Sequence, residues 1–195
     1  MQLRKFLCVL LLWPMLVSAH HAEKDARGLR DVTVLIVRHA EKPYQGNRLS
    51  PRGEQRAAAY ASYFDPLQLD GAALMPQRLI ATSDSNASMR PRLTLTPLAA
   101  RLSLPIEQTW ADDQVDAVAK ALRKKNDAPV VLIAWHHGHI VKLIEAFGGD
   151  AKQLLGYKSW PADTYNWLVV LHFDDQGRLS ESTSRLVQEH LLPGD

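Results

Sequence analysis

Cysteine is almost absent from this 195-residue chain, whose one cysteine, Cys8, lies inside an apolar run near the amino terminus. If that segment is removed, no thiol remains to form a disulfide or to act as a nucleophile. We therefore expect an ordinary hydrophobic core to stabilise the rest of the chain. The length and the 46% content of hydrophobic residues suffice for one such core.

The chain also lacks a strong excess of either charge. It has 23 Lys and Arg residues against 21 Asp and Glu residues, and no dense basic block. This balance is not the electrostatic pattern of a nucleic-acid-binding protein, so we expect no nucleic-acid partner. The composition is also unlike that of disordered chains, which combine low hydrophobicity with high net charge.

No apolar run is long enough for a comfortable transmembrane helix, which takes about 20 residues. The run over residues 6–17 follows the basic residues Arg4 and Lys5 and precedes a small-residue site that ends at Ala19. This layout predicts a signal peptide over residues 1–19. We expect an exported protein, secreted or, in a Gram-negative cell, periplasmic, without stable membrane insertion after cleavage. An uncleaved amino-terminal anchor is the alternative.

Strands and helices are predicted to alternate beyond a flexible lead-in over residues 20–31. Short apolar runs rich in β-branched residues are typical of strands buried on both faces, and they cover residues 32–37, 78–82, 129–134 and 167–173. Helical periodicity is found over residues 51–64, 93–102, 114–125 and 140–147. Residues 179–187 are an edge strand or a tail. The alternation predicts an α/β fold, a three-layer α/β/α sandwich with a mostly parallel central sheet, over residues 32–190.

Basic and imidazole side chains follow three of these predicted strands: Arg38, His39, Arg90, Arg92, His136, His137 and His139. Because ligands bind beyond the carboxyl ends of parallel strands, we expect these side chains to line one pocket. Arginine presents a planar fork of donors to phosphate oxygens, and a neutral imidazole can attack phosphorus. The pattern therefore predicts a phosphoryl-transfer site.

The histidines also permit a different interpretation. His136, His137 and His139, together with His20 and His21, are compatible with a periplasmic metal-binding protein, although no cysteine ligand would be available. A non-catalytic protein that binds phosphorylated anions is a further alternative.

Several segments resemble the histidine phosphatase superfamily, which includes the phosphoglycerate mutases. The stretch LIVRHAEK at residues 35–42 resembles the family's Arg-His motif after the first strand. Further similar segments are LSPRGEQRA at residues 49–57, RLTLTPLA at residues 92–99, and VLIAWH at residues 131–136 continuing to the glycine pair at 148–149. The resemblance extends from about Val32 to Phe173.

This resemblance implies a phosphoglycerate mutase-like fold and a metal-independent phosphomonoester hydrolase, without a cofactor, that forms a phosphohistidine on His39. It implies that Arg38 and Arg92 bind the phosphoryl oxygens, and we prefer Arg92 because Thr96 follows it at the family's interval. His136 would be the second histidine of the pocket. Alternatives for these last two roles are Arg90 and His137. The partner would be a phosphorylated small molecule or a phosphorylated surface component, and the oligomeric state is not predicted.

The family usually supplies a carboxylic acid that protonates the leaving group. Asp112 and Asp113 precede a predicted helix and are possible general acids, although N-caps of that helix are an equally good interpretation. Asp84 and Asp163 are further candidates. Glu41 is close to His39 in sequence, and we expect it to orient groups of the loop.

Overall fold

The computed structural model describes residues 28–195, which form one six-stranded sheet, one two-stranded sheet and five helices. The strands are β1 (Val32–Arg38), β2 (Leu67–Leu69), β3 (Ala72–Leu74), β4 (Arg78–Ala81), β5 (Ile106–Glu107), β6 (Val130–Trp135), β7 (Trp167–Phe173) and β8 (Arg185–Gln188). The helices are α1 (Pro51–Tyr63), α2 (Arg90–Leu102), α3 (Val115–Lys124), α4 (His137–Ala146) and α5 (Ala151–Leu155).

The six-stranded sheet has the order β5-β4-β6-β1-β7-β8, so that β1 lies near its centre. Strands β1, β4, β5 and β6 are parallel to one another, whereas β7 is antiparallel to both β1 and β8. The predicted α/β fold with a mostly parallel sheet is confirmed. The direction of β7 could not be predicted, because a strand buried on both faces is apolar in either direction.

Helices cover both faces of this sheet. Since side chains of a strand alternate between faces, Leu35 and Val37 of β1 pack with α1 and α2, while Val34 and Ile36 pack with α3, α4 and α5. Every residue of β1 is consequently buried. The two cores on either side of the sheet make the three-layer α/β/α sandwich that the sequence predicts.

The helix boundaries matter for the site. Helix α1 begins as predicted, with Pro51 in its first turn and the Ser50 hydroxyl accepting a hydrogen bond from the Gly53 amide at 3.1 Å. Helices α2 and α4 begin earlier than predicted, at Arg90 and His137. Both residues therefore lie in the first turn of a helix rather than in a loop.

A β-hairpin, the two-residue strand β5 and the short helix α5 were missed by sequence reasoning. Strands β2 and β3 form a hairpin whose turn residues, Asp70 and Gly71, both have positive φ, at 51° and 80°. An Asp-Gly pair between short apolar stretches is the usual sequence signal for such a turn. Helix α5 is capped by the Asp150 side chain, which accepts from the Gln153 amide at 2.8 Å.

The packed region is longer at both ends than predicted. Within the predicted lead-in, Leu29 is buried in the core and Asn126 donates to the Gly28 carbonyl. At the other end, Asp195 binds Arg56. The predicted signal peptide, Cys8 and the lead-in up to residue 27 lie outside the described residues. Within the range 28–195, no helix is both long and apolar enough to cross a membrane.

Candidate active site

Three strand ends meet at one edge of the sheet. The register pairs Arg38 of β1 with Trp135 of β6, and Ala81 of β4 with Ala134 of β6. The residues that follow these strands therefore start from the same edge, as expected for the ligand-binding side of a parallel sheet.

His39 follows β1 and is almost completely buried. Its Nδ1 lies 2.7 Å from the Ala40 carbonyl oxygen. Because a carbonyl can only accept, Nδ1 carries the proton and the lone pair is on Nε2. Burial lowers the pKa of His39 to about 2, helped by the neighbouring charges of His136, Arg38 and Arg90 and opposed by the backbone hydrogen bond. The imidazole is therefore neutral and nucleophilic at ordinary pH.

A second imidazole faces this one. His136 is the N-cap residue of α4, and its ring lies edge-on to the ring of His39 with 5.0 Å between centroids. Burial lowers the pKa of His136, while the Asp112 carboxylate raises it. His137, the first residue of α4, directly follows His136. Burial lowers its pKa, and so does the charge of Arg38. The structure thus brings His136 against His39 and keeps His137 nearby.

Arg38 is completely buried beside these rings. Its Nη1 donates to the carbonyl oxygens of Ala162 and Thr164 at 2.5 and 3.0 Å, and its guanidinium carbon lies 3.8 Å from the ring centre of Tyr165. Among residues 28–195, neither Nε nor Nη2 has a hydrogen-bond partner. Burial lowers the pKa of Arg38. Two buried donors on a cation are thus available to an anion.

Arg90, the first residue of α2, contributes the second cation. It donates from Nη1 to the Gly46 carbonyl at 3.1 Å and from Nη2 to the Ala87 carbonyl at 3.4 Å. Its buried Nε has no partner within the described chain. The positive charge of Arg90 lowers the pKa of both His39 and His136, in each case after the larger effect of burial. Arg90 therefore lies close to both imidazoles.

The sequence favours Arg92 over Arg90, whereas the structure places Arg90 beside the imidazoles and pairs Arg92 with an aspartate. Arg92 forms an ion pair with Asp84, with 2.7 Å between Nη2 and Oδ2. Successive helical residues are rotated by about 100°, so residues two apart point in nearly opposite directions. A threonine follows four residues after each arginine, Thr94 after Arg90 and Thr96 after Arg92. This interval therefore does not distinguish between the two arginines. In the structure, Thr94 donates to the Arg90 carbonyl and accepts from the Ala40 amide next to His39.

Of the two candidate acids, Asp112 lies at the site. Its charge raises the pKa of His136 and of His137, and its Oδ2 lies 2.8 Å from Nδ1 of His139. Asp113 is exposed. Neither caps α3, whose N-cap residue is Gln114. Of the further candidates, Asp84 is engaged by Arg92, and Asp163 is exposed, although its charge raises the pKa of Arg38.

Glu41, in the loop after β1, is bound to helix α1. Its carboxylate accepts from Nε and Nη2 of Arg56, which also donates to Asp195. The Glu41 backbone lies so close to α1 that a Cβ on Gly53 would be 2.4 Å from the Glu41 carbonyl oxygen. Sequence reasoning missed Arg56 and Asp195 because 139 residues separate them.

The three histidines at the start of α4 do not converge on one point. The ring of His136 faces His39, and His139 binds Asp112. In the part of the chain that the structure describes, no group of three or more His, Cys, Asp or Glu side chains is placed to hold a metal ion. His20 and His21 lie outside that part.

Comparison with known proteins shows a likeness in structure. No family model and no curated protein matches the sequence. The protein histidine phosphatase SixA, solved with tungstate, has a TM-score of 0.53 at 17% identity and covers 80% of this chain and 97% of its own. Phosphoserine phosphatase from Entamoeba histolytica, solved with 3-phosphoglyceric acid, has a TM-score of 0.53 at 13% identity. This match covers 83% of this chain and 100% of the phosphatase chain. Phosphoglycerate mutase from Plasmodium falciparum has a TM-score of 0.52 at 13% identity, and the match covers 84% of this chain and 94% of the mutase chain.

Because the sequence identity between these three structures and this chain is low, their likeness to it establishes the fold alone. The chain has the fold that these two phosphatases and this mutase share, and its sequence motifs resemble the histidine phosphatase superfamily.

Proposed function

We propose that this protein is a phosphomonoester hydrolase that acts through a phosphohistidine on His39. The observation that carries the proposal is the environment of this residue. It is a buried, neutral imidazole with its lone pair on Nε2, next to buried donors of Arg38 and Arg90 that have no partner among residues 28–195. A nucleophile beside a cationic cradle is the arrangement that phosphoryl transfer requires.

The reaction would begin with attack of His39 Nε2 on the phosphorus atom. The new N–P bond forms as the bond between phosphorus and the leaving oxygen breaks. Arg38 and Arg90 would bind the equatorial oxygens, on which the transferring group carries its charge. His136, edge-on to His39, would hydrogen-bond to the same group.

Asp112 would carry the proton. In the first step, its Oδ1 gives a proton to the leaving oxygen. In the second step, water attacks the phosphohistidine, its proton goes to Oδ1, and the electron pair of the N–P bond returns to Nε2. Because the proton given in the first step is regained in the second, the enzyme returns to its starting state without a metal or a cofactor.

We further propose a phosphorylated small molecule or a phosphorylated surface component as substrate, in keeping with the export that the amino-terminal sequence predicts. The tungstate found in the SixA structure supports an oxoanion site in this fold. Tungstate is accordingly a suitable probe of the pocket.

Phosphate release from a panel of monoesters, in the presence of a metal chelator, tests this function. We expect the wild-type protein to turn over and His39→Ala to be inactive, whereas His190→Ala, at an exposed histidine, retains full activity. Undiminished hydrolysis by His39→Ala would refute the assignment. Calorimetric binding of tungstate without turnover of any ester would instead identify a non-catalytic phosphoanion-binding protein.

A further inference from the structure

The carboxyl group of Asp112 is held on one side only. Its Oδ2 lies 2.8 Å from Nδ1 of His139, whereas its Oδ1 is shielded from solvent and has no hydrogen-bond partner among residues 28–195. Buried polar atoms without a partner are rare in folded proteins and call for an explanation. An oxygen that exchanges a proton with bound substrate provides one.

The backbone around this carboxyl is also fixed. Nε1 of the fully buried Trp135 donates to the Asp112 carbonyl at 2.9 Å. His139 lies in the first turn of α4, where its amide donates to the His136 carbonyl at 3.0 Å. Asp112 and His136 are thus anchored to the same strand end, and the hydrogen bond with His139 is what fixes the rotation of the carboxyl group.

Several charged groups surround the pair. The Asp112 carboxylate raises the pKa of His136 and of His137, against the larger lowering that burial causes in each. The positive charge of Arg90 in α2 lowers the pKa of His136, whereas the Asp112 carboxylate raises it. The carboxyl group is therefore close to the imidazoles of the site, whereas His139 contacts it from the side of α4.

We infer that His139 is a positioning residue, which donates its Nδ1 proton to Oδ2 of Asp112 and so keeps Oδ1 aimed at the reacting groups. This inference rests on the proposed function. When the P–O bond of the ester breaks, the leaving oxygen takes the proton from Oδ1. When water attacks the phosphohistidine, Oδ1 takes a proton from that water. His139 keeps its own proton throughout, so its contribution depends on the hydrogen bond and not on its charge.

The test compares two substrates that differ in their need for an acid. An alkyl ester, glycerol 2-phosphate, needs a proton on its leaving oxygen, and p-nitrophenyl phosphate does not. On the alkyl ester we expect Asp112→Asn to lower kcat/KM by about 100-fold, as for loss of a general acid, and His139→Ala by about tenfold. For the aryl ester, kcat/KM reports phosphoryl transfer to His39 and should change less than about threefold in both variants.

Two further variants separate positioning from a merely structural role. His139→Asn retains a donor near the place of Nδ1 and should restore alkyl-ester activity to within about twofold of the wild type. In an Asp112→Asn background, His139→Ala should have no additional effect, because it acts through the carboxyl group. His190→Ala serves as the matched control at an exposed histidine.

Equal losses on both esters, or a full effect of His139→Ala in the Asp112→Asn background, would overturn the inference. So would failure of His139→Asn to restore activity while its circular dichroism matches the wild type. Failure of the proposed function gives a different result, since the His39→Ala variant would then still hydrolyse the aryl ester.

Discussion

Two buried arginines near the loop after β1 have opposite surroundings. Arg56 donates from Nε and Nη2 to Glu41 and from Nη1 and Nη2 to Asp195, so each of its nitrogen atoms has a carboxylate partner. Those partners raise its pKa, although burial opposes them. Within residues 28–195, Arg38 has only carbonyl partners, all on Nη1, and burial lowers its pKa.

The difference shows which buried cation is structural and which is available to a ligand. A buried charge is costly unless it is paired. Arg56 meets this requirement within the fold, and in doing so it joins Asp195 to the loop that carries His39. Arg38 does not, and its free Nε and Nη2 beside His39 are the donors that a phosphoryl group would occupy.

The largest effect on stability is expected for Arg56→Met. Removal of the cation leaves Glu41 and Asp195, whose side chains are mostly buried, with the partly exposed Arg52 as their remaining ion-pair partner among residues 28–195. We expect the free energy of unfolding to fall by about 3–5 kcal/mol, as for other broken buried ion pairs. Urea unfolding measures it, and a loss below about 1 kcal/mol would contradict the structural role of this arginine.

In contrast to Arg56→Met, Arg38→Met should lower activity strongly and stability little. Loss of preorganised donors is expected to lower kcat/KM by about 100- to 1,000-fold. Stability should change little, because no carboxylate among residues 28–195 pairs with this buried cation. Ester hydrolysis and urea unfolding on the same preparation test both parts. A variant that is active but unstable would reverse the comparison.

Arg90 and Arg92 allow a sharper version of this comparison within one helix. We expect Arg90→Ala to lower kcat/KM by about 100-fold. For Arg92→Ala we expect less than about threefold, because the half-exposed ion pair with Asp84 is all that is lost. Tungstate affinity, measured by calorimetry, should follow the same order. Equal losses in the two variants would restore Arg92 as a phosphate ligand.

The smallest effect concerns Glu189, which accepts a hydrogen bond from Tyr60 at 2.8 Å in the same buried region as Arg56. Burial raises the pKa of Glu189 from 4.5 to about 8, although Tyr60 and Arg56 oppose this shift. Between these values the folded state keeps a proton that the unfolded state has lost, so stability falls as the pH rises. The slope is at most about 1.4 kcal/mol per pH unit.

Glu189→Gln should remove this contribution. Urea unfolding at about pH 5.5 and about pH 7.5 should show a smaller decrease for the variant than for the wild type. Tyr60→Phe is a suitable control, since it removes the hydrogen-bond donor and leaves the carboxyl group in place. An identical pH dependence in the wild type and Glu189→Gln would show that the carboxyl group is ionised in the folded protein.

The sequence predicts those parts of the fold and site that depend on local pattern. Buried β-branched runs locate the central strands, and the Arg-His motif locates His39 at the end of β1. The choice between Arg90 and Arg92 depends on where α2 begins. The sequence does not predict that position, because Pro91 and Pro97 make the start of the helix ambiguous. The pairing of Arg56 with Asp195, and of Asp112 with His139, depends on tertiary contacts between distant segments. No local periodicity encodes such contacts.

Identification of the phosphorylated atom tests the central claim most directly. The wild-type protein would be mixed with p-nitrophenyl [³²P]phosphate, quenched within milliseconds in alkali, in which phosphohistidine survives, and digested for mass spectrometry and ³¹P NMR. We expect one phosphorylated residue, His39, modified on Nε2, with a label that is lost in acid. Phosphate on His136 or on a carboxylate, or steady turnover without any labelled protein, would contradict it.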